Sequence, residues 1–133
     1  MSGLVLKLAP NERIMINGAV VENGERRTRL SIQTPNTNIL RLKDAVHPDD
    51  ATTPVSRACY QCQLILSGDI NLHEGQRILA RSIEELSQVF CDHDSRRLLD
   101  AAGSAAINGD AYAALRELRR LLPREARLFA VRQ

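Results

Sequence analysis

Between residues 4 and 43 apolar side chains recur at every second position. Leu4, Leu6 and Leu8 alternate with Val5 and Lys7, and Ile14 and Ile16 alternate with Arg13 and Met15. Leu30 and Ile32 follow the same rule against Arg29, Ser31 and Gln33, as do Leu40 and Leu42 against Ile39, Arg41 and Lys43. A period of two with one wet face predicts a five-stranded antiparallel meander that buries its even positions. Turns are expected at Pro10-Asn11, Asn17-Gly18, Asn23-Gly24 and Pro35-Asn36. The two Asn-Gly steps suit type I′ hairpin turns, because both central residues of such a turn take positive φ.

The period then lengthens. Thr53 is placed to cap a helix with Pro54 at its first position, and Val55, Ala58, Cys59, Cys62, Ile65 and Leu66 form a stripe at helical spacing. Ser67-Gly68-Asp69 ends that helix. Asn71 followed by Glu74 resembles a capping box and opens a second helix with Leu79, Ile83, Leu86 and Phe90 inward. Asp94 is expected to cap a third helix through Leu98, Ala102 and Ala106, stopped by Asn108-Gly109. Asp110 opens a fourth, with Ala114, Leu115, Leu118 and Leu122 inward, ended by Pro123. The expected class is α+β: an antiparallel β subdomain over residues 1–50 and a helical subdomain of about four helices over residues 51–133, joined near residues 44–53.

A chain of 133 residues with 44% hydrophobic content can bury a core without a metal or disulfide staple. Aromatic residues make up only 3% and tryptophan is absent, which leaves few rings for stacking bases. Net charge is +2, but its distribution is uneven. Lys7, Arg13, Arg26, Arg27, Arg29, Arg41 and Lys43 outnumber Glu12, Glu22 and Glu25 at one end, the middle is acidic, and six arginines face Glu117 and Glu125 from Ala111 onward. Basic ends around an acidic waist point to an anionic partner. Three cysteines and no apolar leader point to a reduced, cytoplasmic protein, and no run approaches the ~18 apolar residues of a membrane span.

Catalytic signatures are missing: there is no P-loop, nucleophile elbow or HExxH. Cys59-x-x-Cys62, with Cys91 and His93 downstream, has half the spacing of a zinc site, but cysteines at i and i+3 of an apolar helical stripe are expected to pack as small hydrophobes. No metal or cofactor is therefore expected. Asp92-His93-Asp94 has the composition of a general base with its carboxylates and equally that of a solvated loop. Two basic features remain. Lys7, Arg13, Arg27, Arg29, Arg41 and Lys43, with Arg26 beside them, fall on the wet face of the predicted sheet, where they can contact phosphates or serve as an ordinary solvated face. Arg116, Arg119, Arg120 and Arg124 form a stripe along one side of the fourth helix, with the same two readings.

The stretch Ile16-Asn-Gly-Ala-Val-Val-Glu-Asn-Gly-Glu-Arg-Arg27, with Leu4 to Leu8 before it and Thr52-Thr53-Pro54 after it, closely resembles the FlbT family of post-transcriptional regulators of flagellin synthesis. That resemblance implies a cytoplasmic regulator rather than an enzyme. It would bind the 5′ untranslated region of flagellin mRNA, repress its translation or promote its degradation, and work alongside a FlaF-like protein. The alternative is an adaptor acting through FlaF or flagellin without touching RNA. The first half is also similar in rhythm to the CsrA family, through Asn11-Glu12, Ile14-Met15-Ile16, Ile32 before Pro35, and Arg41. This second likeness, with the open edges of the first and fifth strands, implies a homodimer and places Lys7, Arg41 and Lys43 near the RNA. The arginine that likeness expects on the first strand is Leu8 here.

Overall fold

The computed structural model describes residues 4–35 and 37–132. Strands β1 (Leu4–Leu8), β2 (Arg13–Ile16), β3 (Ala19–Glu22), β4 (Thr28–Ile32) and β5 (Ile39–Arg41) precede two short 3-10 turns at Leu42–Asp44 and Pro48–Asp50. Helices α1 (Pro54–Ser67), α2 (Leu72–Val89), α3 (His93–Ile107), α4 (Ala111–Arg119) and α5 (Leu122–Arg132) come after them. The α+β order agrees with the hydrophobic pattern.

The strands do not form the expected meander. β1 pairs antiparallel with β4, while β2 lies between β3 and β5 in a separate three-stranded sheet. The cause is the second Asn-Gly step. Asn17 and Gly18 take φ of 50° and 87° and reverse the chain from β2 to β3 as expected. Asn23-Gly24 takes no positive φ; the Asn23 amide donates to the carbonyl oxygens of Ala9 (2.8 Å) and Arg26 (2.9 Å), and its N–H donates to that of Glu12. The chain leaving β3 is thereby tied across the Pro10-Asn11 turn, where Asn11 takes φ of 61°, and enters the other sheet. Asn36, half of the fourth predicted turn, lies outside the described residues.

Two apolar layers result. Leu6, Leu8, Ile14 and Ile39 are buried between the sheets, with Ile16, Leu30 and Ile32 packed around them. The far face of β2 and β5 turns Met15 and Leu40 into the helical core. Residues paired across an antiparallel ladder share a face, and the register Ile14↔Arg41, Met15↔Leu40, Ile16↔Ile39 puts odd-numbered Ile39 and Arg41 with even-numbered Ile14 and Ile16. The even-inward rule therefore slips by one residue at β5, and the single wet face expected to carry every basic residue does not exist.

Helix starts obey cap chemistry. Thr53 and Ser56 form a reciprocal capping box with Pro54 in the first turn of α1, and Gly68, at φ 85°, closes it. Asn71 accepts the Glu74 N–H at 2.8 Å to open α2, and Asp110 caps α4. The third helix is capped two residues earlier than expected: Asp92, not Asp94, accepts the Ser95 N–H at 3.0 Å. Among the described residues five α-helices stand where about four were expected. Pro123 does not end the fourth helix but sits in the first turn of α5, where its missing N–H costs nothing. Arg124 therefore belongs to α5, and the arginine stripe is broken between two helices.

α1 packs against α2 and α4, and α3 against the same two, closing a ring of four helices around the larger core. Cys59 and Cys62 are buried in it; burial pushes the Cys59 thiol up to about 12 and the Cys62 thiol up as well, so both pack as neutral small hydrophobes. Glu125 of α5, only 5% exposed, accepts the Val55 N–H at 2.9 Å, a carboxylate at the positive end of α1. Buried Gln63 both accepts the Val46 N–H and donates to the Val46 carbonyl, pinning the segment between the β and α parts onto α1.

Close packing at Gly75 makes the α1 and α2 contact testable. A methyl group there would overlap the Ile65 side chain. Overpacking costs about 1–3 kcal/mol, against a gain of about 1 kcal/mol in helix propensity, so Gly75→Ala is expected to lower stability by about 1 kcal/mol. A denaturant midpoint at or above that of the unsubstituted protein would contradict this packing.

Candidate nucleic-acid interface

Register brings Lys7 of β1 directly opposite Arg29 of β4 on the outer face of the two-stranded sheet. Two like charges side by side repel, and nothing in a purely structural role requires them there. Arg27 precedes β4 at the same end, and Lys43 reaches in from the 3-10 turn after β5. These four cations rim a depression of about 380 Å³ that also contains Glu12. Lys7, Arg27, Arg29 and Lys43 are thus brought together from among the basic residues predicted to contact RNA.

The other three go elsewhere. Arg13, on the Met15 side of β2, pairs with Glu22 at 2.9 Å on the exposed β2–β3 ribbon. Arg26 lies in the β3–β4 connection, its carbonyl accepting the Asn23 amide and the Thr28 hydroxyl. Arg41 faces the space between the sheets, is 17% exposed, and donates to Glu12 at 2.9 Å and to the Lys7 carbonyl at 2.9 Å. Its guanidinium ties β5 to β1.

Glu12 organises this end of the molecule. Its side chain is 6% exposed, and its carboxylate accepts the Ala9 N–H at 2.9 Å and the Arg41 guanidinium, with the Lys43 ammonium at 3.8 Å. The Ala9 amide first, then Arg41 and Lys43, hold its carboxyl below the ordinary value against the opposing effect of burial. One anion thus fixes the base of the depression, while Lys43 keeps most of its surface in solvent.

A second depression, of about 330 Å³, opens on the other side of Lys43, where β5 meets α4. Arg41, Lys43, Arg116 and Arg119 supply its charge together with Asp44, which holds Arg119 at 3.3 Å. Leu40, Tyr112 and Leu115 supply its apolar surface. Lys43 lines both depressions, so the basic sheet end and the first arginines of the α4 stripe join into one surface. The other two arginines of the stripe turn away: Arg120 pairs with Glu117 and Arg124 with Asp92. Sequence alone gave no signal that Tyr112 and Lys43 would line one depression, because that depends on how the β5 to α1 connection is pinned.

Of the remaining chemistry candidates, Asp92 has a structural role. Asp92 is the α3 cap, held below the ordinary carboxylate range chiefly by the Ser95 backbone and hydroxyl and also by Arg124. Cys91 is exposed, apart from the buried Cys59 and Cys62, and among the described residues no group of three His, Cys, Asp or Glu side chains is placed to hold a metal. Among the described residues no helix is long and apolar enough to cross a membrane.

Fold and surface together define a small α+β protein with cations gathered around two adjoining depressions. The chain matches the family described as Flagellar protein FlbT over residues 4–129 and belongs to that family. It is 35% identical over 129 residues to the probable flagellum biosynthesis repressor protein FlbT of Rhodopseudomonas palustris, covering 96% of this chain and 98% of that protein. It is 33% identical over 127 residues to the probable flagellum biosynthesis repressor protein FlbT 1 of Bradyrhizobium diazoefficiens, covering 94% of this chain and 84% of that one. The flagellum biosynthesis repressor protein FlbT of Caulobacter vibrioides matches at 33% identity over 86 residues, 65% of this chain and 60% of its own. No solved structure matches the chain.

Glu12 gives the site a pH signature. The unfolded chain takes up this proton near 4.5, the folded chain only at lower pH, so its stabilisation is fully present above pH 4.5 and is lost as pH falls through the depressed folded-state value. Glu12→Gln is expected to lose about 1–3 kcal/mol at neutral pH and progressively less in acid. Thermal melts of the two proteins should converge as pH drops; a constant gap between pH 7 and pH 3 would contradict this role.

Proposed function

We propose that this protein is a cytoplasmic regulator of flagellum synthesis that binds the 5′ untranslated region of flagellin mRNA and lowers its translation or its lifetime. Family membership and the repressor names of its relatives support the regulatory part. The RNA part is carried by one observation: Lys7, Arg27, Arg29 and Lys43 converge on a single depression although two of them are directly opposed like charges. A surface that gathers repelling cations is stabilised when phosphates replace their counterions. The action is recognition rather than catalysis.

A second copy of the chain fits the same reading. β3 ends its sheet with only β2 beside it, all four of its residues are exposed, and Val20 is 57% exposed, so the edge offers unpaired backbone groups and apolar side chains to a twin strand. Two copies would present two basic faces to one leader. A FlaF-like protein is the proposed companion in the same pathway.

Binding of a flagellin leader RNA to the purified protein should weaken as salt rises. Lys7→Ala, Arg29→Ala and Lys43→Ala are each expected to lower affinity and to reduce the slope of log affinity against log salt by about one unit, while Arg13→Ala has little effect. Unchanged affinity and slope in the first three would discard direct RNA binding and favour an adaptor that acts through FlaF or flagellin.

A further inference from the structure

We infer that the depression between β5 and α4 holds one unpaired nucleotide of the bound RNA, its base against the Tyr112 ring and its flanking phosphates at Lys43 and Arg116. This rests on the RNA reading above and names the part of the RNA that the site selects.

The depression differs in kind from its neighbour. The one beside β1 and β4 is rimmed by cations around a carboxylate and suits a phosphate backbone. The one beside α4 sets an aromatic ring and two leucines among cations. Tyr112 is half-buried, packed against the helical core and also lining the opening. A ring held in that way loses little freedom when a second ring stacks on it. A volume of about 330 Å³ lies at the lower end of the roughly 300–1,000 Å³ of small-ligand sites, room for one ring system rather than a helix of paired bases. A nucleotide is the ligand whose parts match: a flat apolar face for Tyr112, and phosphates on either side for the cations.

Charges around the opening are available at small cost. Arg116 is largely exposed, with Glu117 at 3.6 Å, and Lys43 stands 3.8 Å from Glu12. The Arg116 pair is of a kind that contributes little and exchanges readily for a phosphate, and Lys43 keeps most of its own surface in solvent while Glu12 stays with Arg41. Asp44 is the one anion in the lining, and it occupies Arg119. Lys43, shared by both depressions, joins the base site to the phosphate track formed with Lys7, Arg27 and Arg29. An acidic peptide would satisfy the cations but would leave the half-buried Tyr112 ring without a partner.

The chain has no tryptophan, so Tyr112→Trp introduces a single indole reporter. A seven-nucleotide single-stranded oligoribonucleotide is expected to quench that indole, and a duplex of the same sequence is expected to bind through phosphates without quenching it. Tyr112→Leu should lose between about fivefold and 100-fold in single-strand affinity at unchanged salt slope, Tyr112→Phe should stay within about twofold, and Arg116→Ala should lower the slope by about one. Asp44→Asn should tighten binding by freeing Arg119. A folded Tyr112→Leu protein that binds as tightly as the unsubstituted one, or an indole that RNA does not quench, overturns the base site while leaving the sheet cations as an RNA surface. A heptaglutamate peptide that quenches the indole as strongly as the oligoribonucleotide overturns it in favour of a protein ligand. Absence of any salt-dependent RNA affinity in the unsubstituted protein removes the RNA reading and this inference together. Should Tyr112→Leu fail to fold by circular dichroism, the indole quenching alone decides.

Discussion

β2 and β5 are covered on both faces, and a strand pair in that position can place charged side chains only at its ends. Ile14, Ile16 and Ile39 fill the space below β1 and β4, while Met15 and Leu40 fill the space above, against the helices. Arg13 and Arg41 sit at the terminal rungs for this reason, and their positions constrain the chain on either side. Arg41 cannot leave the inter-sheet face, so a carboxylate must come to it, and Glu12 in the Pro10-Asn11 turn does so. The chain then tightens into the 3-10 turn at Leu42–Asp44, which carries Lys43 to the boundary between the two depressions and Asp44 toward Arg119 of α4.

Electrostatics on this surface is a contest among carboxylates and cations rather than a plain positive field. The chain carries 18 basic and 16 acidic residues, so long-range attraction for an anion is weak and local arrangement must decide where one binds. Glu12 has little of its side chain exposed and is held by a backbone amide and the Arg41 guanidinium, and it acts as part of the scaffold. The Asp44–Arg119 and Arg116–Glu117 pairs are more exposed and looser, and their partners can be traded for phosphate. Deep pairs therefore build the surface and shallow pairs tune it.

The elements were legible in sequence wherever local chemistry sufficed. Thr53-Pro54, Asn71 and Asp110 are caps because their side chains satisfy free N–H groups within the next turn, and Asn17-Gly18 reverses because of its own φ preferences. Topology was not legible, because Asn23 bonds to Ala9 and Arg26 rather than turning, and no local rule separates these two uses of asparagine before glycine. The parity of β5 failed for a related reason: Ile39 and Leu40 are both apolar because both faces are buried, and an even-odd rule presumes one wet face. Pro123 read as a stop because proline cannot continue a helix, although it starts one equally well. Of the site, Lys7 and Arg29 came from alternation alone, while Tyr112 and the double role of Lys43 depended on tertiary docking that no periodicity encodes.

That docking is fixed rather than loose, and this matters for recognition. Gln63 satisfies both backbone groups of Val46 as a neighbouring strand would, so the connection from β5 to α1 is held to the helix it precedes. Glu125 closes the opposite end by bonding α5 to the first turn of α1. Among the described residues every buried side-chain polar atom has a partner, which leaves no internal demand that a different arrangement would satisfy better. The β5–α4 opening therefore exists before any ligand arrives, and the ordering cost of assembling its cations and ring is met by folding rather than by binding. If RNA is the ligand as proposed, a near-neutral net charge leaves its selection to this preformed arrangement rather than to a strong general attraction that would bind every nucleic acid alike.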